Sequence, residues 1–285
     1  MTITVLIPAH NEASVIARCL TPLAAWAAAG KAHVVVIANA CDDETFAVAK
    51  SACPAAIVLE TPVGGKTNAL NLAMTYALDG AVLCLDADLV TTPDALEALA
   101  APLMAETHAG ACGRMEVSLD GVPFWVRQFY AGWLLNPYQD AGKFGGLFGV
   151  SAPTARALFP LPKLTADDEY IARFAEDGGI AYRPECAFTV QAPRKLADLI
   201  RIRRRSYRGT KALTTKGAKT QRPTGLRAIA MVAKRGAAQP KLWLGVLTYI
   251  AVSLWVRVLV AFERTQPSST IRWERDASSR LPKEI

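Results

Sequence analysis

Apolar residues along the first hundred positions fall into short continuous runs separated by amphipathic stretches. Thr2–Ile7 is a β-branched run ended by Pro8, and Val34–Ile37, Ala56–Leu59 and Val82–Leu85 repeat the pattern. Runs this short, apolar at every position, are buried on both faces. Between them, residues 11–29, 42–53, 66–79 and 93–104 carry helical periodicity. Asn11 stands as an N-cap, Gly30 as a stop and Pro93 as a helix start. The strict β-α-β-α alternation predicts an α/β protein with a doubly wound, mainly parallel sheet and flanking helices.

Further along, Ala111–Val117 reads as a strand. Residues 122–135 form an aromatic stretch containing Trp125, either a packed helix or a substrate wall. Gly142–Gly149 is Gly-rich, and a helix follows that Pro153 can start. The segment 166–176 is helical and opens on Asp167, Asp168 and Glu169. Ile180–Tyr182 and Ala187–Val190 read as two short strands, Leu196–Arg208 as a basic helix and Gly209–Gly225 as a polar linker.

The apolar segment 242–262 closes the pattern. Its uncharged part, residues 242–256, would reach only about 22 Å as a helix, short of a bilayer core of roughly 30 Å. With Arg257 included it would reach about 31 Å. Tyr249, Ser253 and Arg257 share one i, i+4 stripe, and Trp243, Trp255, Lys241 and Arg264 flank the segment. The expectation is an in-plane, membrane-associated helix with a narrow polar face, without spanning; a span with a snorkelling Arg257 and a buried core helix are the alternatives.

Charge sharpens this division. Residues 1–193 hold 11 Lys and Arg against 20 Asp and Glu, residues 194–222 hold 11 against one, and residues 223–285 hold 10 against 4. A basic tail suits phosphates or an anionic membrane; with no nucleic-acid-binding motif or stacking platform beside it, no nucleic-acid partner is expected. The six cysteines form no C-x-x-C pair and no metal spacing with the three histidines, which fits reduced cytosolic thiols. The chain begins directly as a strand without a basic leader, so a cytoplasmic protein, peripheral at the inner face of the cell membrane, is expected.

Candidate chemistry gathers at the carboxyl ends of the predicted strands, where open α/β sheets place ligands. Asp86 and Asp88 follow the fourth run; two apart in an extended segment, they point the same way. Such a pair suits Mg²⁺ or Mn²⁺ held jointly with substrate phosphates. Gly64-Gly65-Lys66 opens a helix, a recurrent anion site. The Walker A pattern and the dinucleotide fingerprint are both absent. The sheet therefore offers carboxylates for a metal and a basic site for a diphosphate.

These motifs, in this order, resemble the family 2 glycosyltransferases, inverting enzymes of the GT-A fold, over roughly residues 1–212. Pro8-Ala9-His10-Asn11-Glu12 is similar to the family's Pro-x-x-Asn-Glu segment lining the nucleotide site. Gly65-Lys66-x-x-Ala69-Leu70-Asn71 is similar to its Gly-Lys-x-x-Ala-Leu-Asn helix start. Asp86-Ala87-Asp88 resembles the metal-binding Asp-x-Asp, and Thr165-Ala166-Asp167 stands where the family has Thr-Glu-Asp, whose Asp is the catalytic base. Arg203-Arg204-Arg205-Ser206-x-x-Gly209 resembles the helix that engages donor diphosphate or acceptor. Four positions depart from the family: Asn39 stands for a base-contacting Asp, Ala166 for Glu, Ile202 for Gln and Ser206 for Trp.

The resemblance implies an inverting transfer of one sugar from a nucleoside-diphosphate sugar, UDP favoured, to a hydroxyl acceptor, with Mg²⁺ or Mn²⁺. Donor contacts would come from Pro8, His10, Asn11, Glu12, Asn39, Lys66, Asp86, Arg203 and Arg205, and metal ligands from Asp88 and Asp86. Asp167 is the expected base, with Asp168 as the alternative if the register is off by one. Gly146, Phe148 and Trp125 are expected at the acceptor, and the tail implies a lipid-linked glycan acceptor in surface polysaccharide or glycolipid assembly. The expected organisation is a catalytic domain over 1–212, divided near residue 110 into donor and acceptor halves, followed by a linker and membrane-associating tail over 213–285. Two other classes compete. A sugar-1-phosphate nucleotidyltransferase would need a Gly-rich loop after the first strand, and a non-catalytic scaffold would need no base.

Overall fold

The computed structural model describes residues 2–215, 220 and 223–263. The chain divides into two compact units. Unit 1 comprises residues 1–116 and 142–190, and unit 2 residues 117–141 and 191–285.

The sheet of unit 1 contains β1 (Ile3–Ala9), β2 (Ala32–Asn39), β3 (Ile57–Thr61), β4 (Val82–Leu85), β5 (Gly110–Ser118), β6 (Leu147–Val150) and β7 (Ile180–Gln191). Their spatial order is β3-β2-β1-β4-β6-β5-β7. The first four strands pair in parallel, with Val5 opposite Val34 and Leu83. β6 runs antiparallel to both β4 and β5. The sheet is thus mainly parallel at one side and mixed at the other.

The continuous apolar runs have the expected cause. Side chains alternate across a strand, and both faces are covered. On one side Val5, Ile7, Leu83 and Leu85 pack under α1 (Ile16–Ala28), α2 (Thr45–Ala52) and α4 (Pro93–Met104). On the other, Leu6, Val35, Val82 and Cys84 pack under α3 (Lys66–Met74) and α7 (Asp167–Ala175). α4 begins where the sequence places it: Thr92 accepts a hydrogen bond from the Ala95 N–H at 3.3 Å and Pro93 opens the first turn.

Several expectations change. Pro8 does not end the first strand, which continues to Ala9. Asn11 is no N-cap: α1 starts five residues later, and Asn11 takes a left-handed conformation with φ 51°. The loop 10–15 is held instead by α2's entry, Asn11 Oδ1 accepting from Asp42 N at 2.7 Å and Thr45 Oγ1 from Glu12 N at 2.7 Å. The Gly-rich segment contains β6. The two short strands after residue 180 are one strand of 12 residues, and its place at the sheet edge tolerates Pro184.

Unit 2 is helical: α5 (Phe124–Trp133), α8 (Leu196–Thr215), α9 (Gly225–Ala237) and α10 (Trp243–Glu263); α6 (Ala152–Leu158) belongs to unit 1. The basic helix continues past Gly209 because that glycine is buried inside it. A boundary after residue 212 therefore falls within α8, and the linker expected over 209–225 is helical to Thr215; residues 216–219, 221 and 222 lie outside the described set. α10 packs on α5 so closely that a Cβ on Gly132 would sit 2.3 Å from the Gly245 carbonyl oxygen.

The polar stripe of Tyr249, Ser253 and Arg257 faces protein. Asn136 Nδ2 donates to the Tyr249 hydroxyl at 3.0 Å, Ser253 is buried, and the Arg257 guanidinium stacks over the Tyr207 ring at 4.9 Å. Buried polar groups need partners, and neighbouring helices supply them here.

Candidate active site

Three chain segments meet at the carboxyl edge of the parallel strands. The first is the end of β2. Asn39 is buried and its amide spans two backbones: Nδ2 donates to the Ala9 carbonyl at 2.5 Å and Oδ1 accepts from Gly65 N at 3.0 Å. Its own carbonyl accepts from His10 Nδ1 at 2.7 Å, which places the ring proton on Nδ1. Asn39 therefore braces the backbone at the site's edge, where the sequence places a nucleotide contact. Glu12 is buried, and Pro8 and His10 are half-exposed around it.

The second segment is the start of α3. Gly65 has φ 133° and ψ 131°, a conformation that side-chain-bearing residues avoid. It turns the chain so that Lys66 opens the helix. Ala69 and Leu70 are fully buried beneath the sheet. Asn71 grips a distant loop twice, donating to the Leu161 carbonyl at 2.9 Å and accepting from Leu161 N at 2.7 Å. That loop leads to Asp167, so one helix positions both Lys66 and the approach to the candidate base.

The third segment is the Asp86-Ala87-Asp88 turn. Ala87 and Leu89 are buried while Asp86 and Asp88 are half-exposed; Leu89 N donates to the Asp86 carbonyl at 3.2 Å, so the pair sits in a hydrogen-bonded turn, which corrects the extended segment expected from the sequence. Asp86 N donates to the Gly146 carbonyl at 2.7 Å, so Gly146 contributes backbone to this turn. Both carboxylates act on Cys19, whose thiol is pushed up to about 12 by burial first and then by Asp88 and Asp86; it stays protonated and inert.

Lys66 joins the segments. Its ammonium lies 2.8 Å from Asp86 Oδ1 and 3.1 Å from Asp167 Oδ2, with side-chain exposures of 20% for Lys66, 35% for Asp86 and 5% for Asp167. Burial lowers the Lys66 pKa, but Asp167, Asp86 and Asp168 together outweigh it and hold the ammonium well above its usual range. The Asp167 carboxyl is raised above the ordinary range by burial, with Lys66 opposing and Asp168 and Asp86 adding to the rise. Asp167 Oδ2 has Lys66 as its ionic neighbour and accepts no well-aligned hydrogen bond among the described residues. Asp168 is half-exposed, its Oδ1 accepting from Glu169 N at 2.8 Å. Glu169 and Arg173 pair at 2.8 Å within α7 and fix its first turn.

The fold thus brings Lys66, Asp86 and Asp167 into contact and sets Asn39 and Gly65 beside them. The bridging of two carboxylates by Lys66, and the supporting grips of Asn71 and Thr45, are long-range contacts that no local spacing announces. Phe148 does not reach the site: it is buried in the sheet core and stacked on Phe144 at 4.9 Å, which corrects its acceptor assignment. Trp125, Arg203 and Arg205 belong to unit 2, where Trp125 is half-exposed on α5 and the Arg203 guanidinium lies 5.9 Å over the Phe129 ring.

A mixed, mainly parallel seven-stranded sheet with flanking helices is the fold of the GT-A glycosyltransferases. A mannosyltransferase from Pyrobaculum calidifontis, solved with GDP-Man and Mn²⁺, superposes with a TM-score of 0.56 at 19% identity, covering 92% of this chain and 79% of that one. Mannosyl-3-phosphoglycerate synthase from Rubrobacter xylanophilus gives 0.55 at 17% identity, covering 78% and 76%. Glucosyl-3-phosphoglycerate synthase from Mycobacterium tuberculosis, solved with Mn²⁺, UDP-Glc and phosphoglyceric acid, gives 0.54 at 19% identity, covering 77% and 81%. No curated protein matches the sequence. The sequence family described as Glycosyl transferase family 2 matches residues 4–157, more than half of the chain, and the protein belongs to that family. It is a glycosyltransferase.

Proposed function

We propose that the protein transfers a single sugar, with inversion, from a nucleoside-diphosphate sugar to a hydroxyl of a lipid-linked glycan at a membrane surface. The observation that carries the reading is Lys66 held between Asp86 and Asp167: one cation touches both the carboxylate placed for a diphosphate-bound metal and the carboxylate placed for a base. UDP-sugars are the favoured donors.

The residues fit a divalent cation of the kind present in the related mannosyl- and glucosyltransferase structures. Asp86 and Asp88, both half-exposed in one turn, offer oxygen ligands. No group of three or more His, Cys, Asp or Glu side chains forms a metal cage among the described residues. That suits Mg²⁺ or Mn²⁺, which completes its shell with substrate phosphates and water. When bound, the ion supplies Lewis-acid stabilisation of the charge developing on the leaving diphosphate.

The remaining chemistry belongs to side chains. The Lys66 ammonium shifts onto the diphosphate when donor binds, adding charge-assisted hydrogen bonds and releasing Asp167. Asp167 then takes the acceptor hydroxyl's proton as the oxygen attacks the anomeric carbon opposite the leaving group. Its raised pKa makes it a stronger base than an exposed carboxylate, and a placed base contributes about 10²–10⁴ in rate. Asn39, His10 and Gly65 hold the nucleotide edge in shape. The cations of α8 suit the phosphates of the lipid-linked acceptor.

The test is a donor-hydrolysis and transfer screen across UDP-, GDP- and dTDP-sugars with Mn²⁺, run on wild type, Asp167→Asn and Asp168→Asn. Asp167→Asn should abolish transfer and keep nucleotide binding near normal, while Asp168→Asn should retain transfer. Full activity in Asp167→Asn would refute the assignment of the base.

A further inference from the structure

We infer that unit 2 is a monotopic membrane seat: the outer face of α10 lies flat in the interface of one anionic lipid leaflet, and the helix does not cross the bilayer. This deepens the membrane reading proposed above and rests on it only in taking a bilayer as the partner.

The face is defined by exposure. Leu244, Leu247, Leu254, Trp255, Val258 and Phe262 are all exposed, and their spacing places them along one side of α10. The opposite side, including Val246, Tyr249, Ser253 and Val256, is buried against protein. A helix of 21 residues is about 31 Å long, so the stripe runs the length of a bilayer's thickness but lies along the protein surface. On α5, Phe124 and Trp125 are also exposed.

By length and composition alone, residues 240–263 would pass as a transmembrane segment. The attachments of α10 exclude that orientation. Glu263 pairs with Arg204 at 3.1 Å and Arg208 at 2.8 Å, Arg257 stacks over Tyr207, and Tyr249 holds Asn136. α8 carries Arg201, Arg203, Arg204, Arg205, Arg208 and Lys211. A spanning α10 would either draw these cations toward hydrocarbon, which is strongly disfavoured, or break every one of those contacts.

Charge selects the occupant. Unit 2 contains 22 Lys and Arg against 7 Asp and Glu. Two such units pressed together repel, whereas an anionic leaflet attracts each cation near its surface. Exposed Trp243 and Trp255, with exposed Lys241 just before the helix, are the residue types that settle at a headgroup boundary.

The experiment is co-sedimentation of the full chain with phosphatidylcholine vesicles, with and without phosphatidylglycerol. Wild type should sediment with the anionic vesicles and much less with the neutral ones. Leu247→Glu/Leu254→Glu should lower partitioning at least about tenfold, since each exposed leucine loses its burial in lipid. Leu247→Ala/Leu254→Ala, the milder pair, should weaken it in the same direction; circular dichroism melts should match wild type for both. Membrane-bound protein should be released by alkaline carbonate. Anionic-vesicle binding that both leucine pairs leave intact would overturn the α10 seat while sparing the membrane reading, and absence of any vesicle binding would overturn that reading itself. Resistance to carbonate extraction would establish a span, and a dimer dissociated by Leu247→Glu in vesicle-free buffer would assign the stripe to a second copy. Either result overturns the inference.

Discussion

Replacing Lys66 by Met tests the centre of the site through stability, independently of any substrate. Met preserves most of the side chain's length and apolar stem and removes only the ammonium. In the wild type that ammonium meets Asp167 at 3.1 Å, where the carboxylate is 5% exposed, and Asp86 at 2.8 Å, where it is 35% exposed. Removing one partner of a buried ion pair costs about 3–5 kcal/mol. The Asp86 half is too exposed to add more than about 1 kcal/mol. Asp167 limits the loss, because burial already raises its pKa and it can take a proton instead of remaining an unpaired charge. The expected loss is therefore about 2–4 kcal/mol near pH 8.

The sign with pH follows from the two groups. Lys66 has a folded pKa above its unfolded value, so its stabilisation is present below the ordinary ammonium pKa and is lost as pH rises beyond it. Asp167 has a raised folded pKa, so on acidification it neutralises earlier than an ordinary carboxylate and leaves Lys66 without its buried partner. The gap between wild type and Lys66→Met should be widest from neutrality to about pH 10 and narrow toward pH 5. Urea unfolding at pH 5 and pH 8, with unchanged m-values, measures this. An equal loss at both pH values, or a loss below about 1 kcal/mol at pH 8, would show that the bridge does not hold this site together.

Other perturbations follow from particular contacts. Chelation should abolish transfer and added Mn²⁺ or Mg²⁺ restore it, read by product formation. With Asp167 as base, the ascending limb of kcat/KM against pH should lie above the ordinary carboxylate range, because the carboxylate form is the active one and burial raises its pKa; a limb at or below the usual range would contradict this. Gly65→Ala should cost about 1–3 kcal/mol in urea unfolding and weaken nucleotide binding. Space is not the cause, since the nearest atom to a Cβ there is 4.0 Å away; the penalty is the φ of 133°. Gly132→Ala should destabilise unit 2 by about 1–3 kcal/mol or more, because its methyl meets the Gly245 carbonyl, and a proteolysis pattern confined to residues in unit 2 would locate the effect.

What the chain reveals unaided tracks how local the cause is. β4 and α4 stand where the pattern puts them because their ends are marked by Asp86, Thr92 and Pro93, residues that act on their own backbone. The start of α1 was illegible because the loop 10–15 is held by Asp42, Asp43 and Thr45, some thirty residues away. Pro8 stays inside β1 because β4 pairs only as far as Leu6, so its missing N–H falls beyond that ladder. Pro184 stays inside β7 because that strand is at the sheet's edge. The polar stripe of α10 was visible as a period but not as a direction. Only Asn136, in the turn after α5, and Tyr207, on α8, decide that it faces inward.

The same distinction explains the chemistry. Asp86, Lys66 and Asp167 could each be singled out by position after a strand, at a helix start or in an acidic triplet, and each pointed to a different task. Their contact is set by Asn71 gripping Leu161 and by Gly65 turning the chain into α3. Unit 1 carries 18 Asp and Glu against 10 Lys and Arg, a poor environment for a diphosphate. A single buried lysine already engaged by two carboxylates cannot by itself offset the charges of a departing nucleoside diphosphate. Recruiting Lys66 to the donor would leave Asp86 and Asp167 without their shared cation, and Asp86 and Asp88 would hold a divalent ion whose charge offsets that loss. On the proposed function, the acidity of the unit and the metal requirement would share one electrostatic cause: Lys66 bridges Asp86 and Asp167 in the structure, and donor binding together with a divalent ion would free Asp167 to act as base.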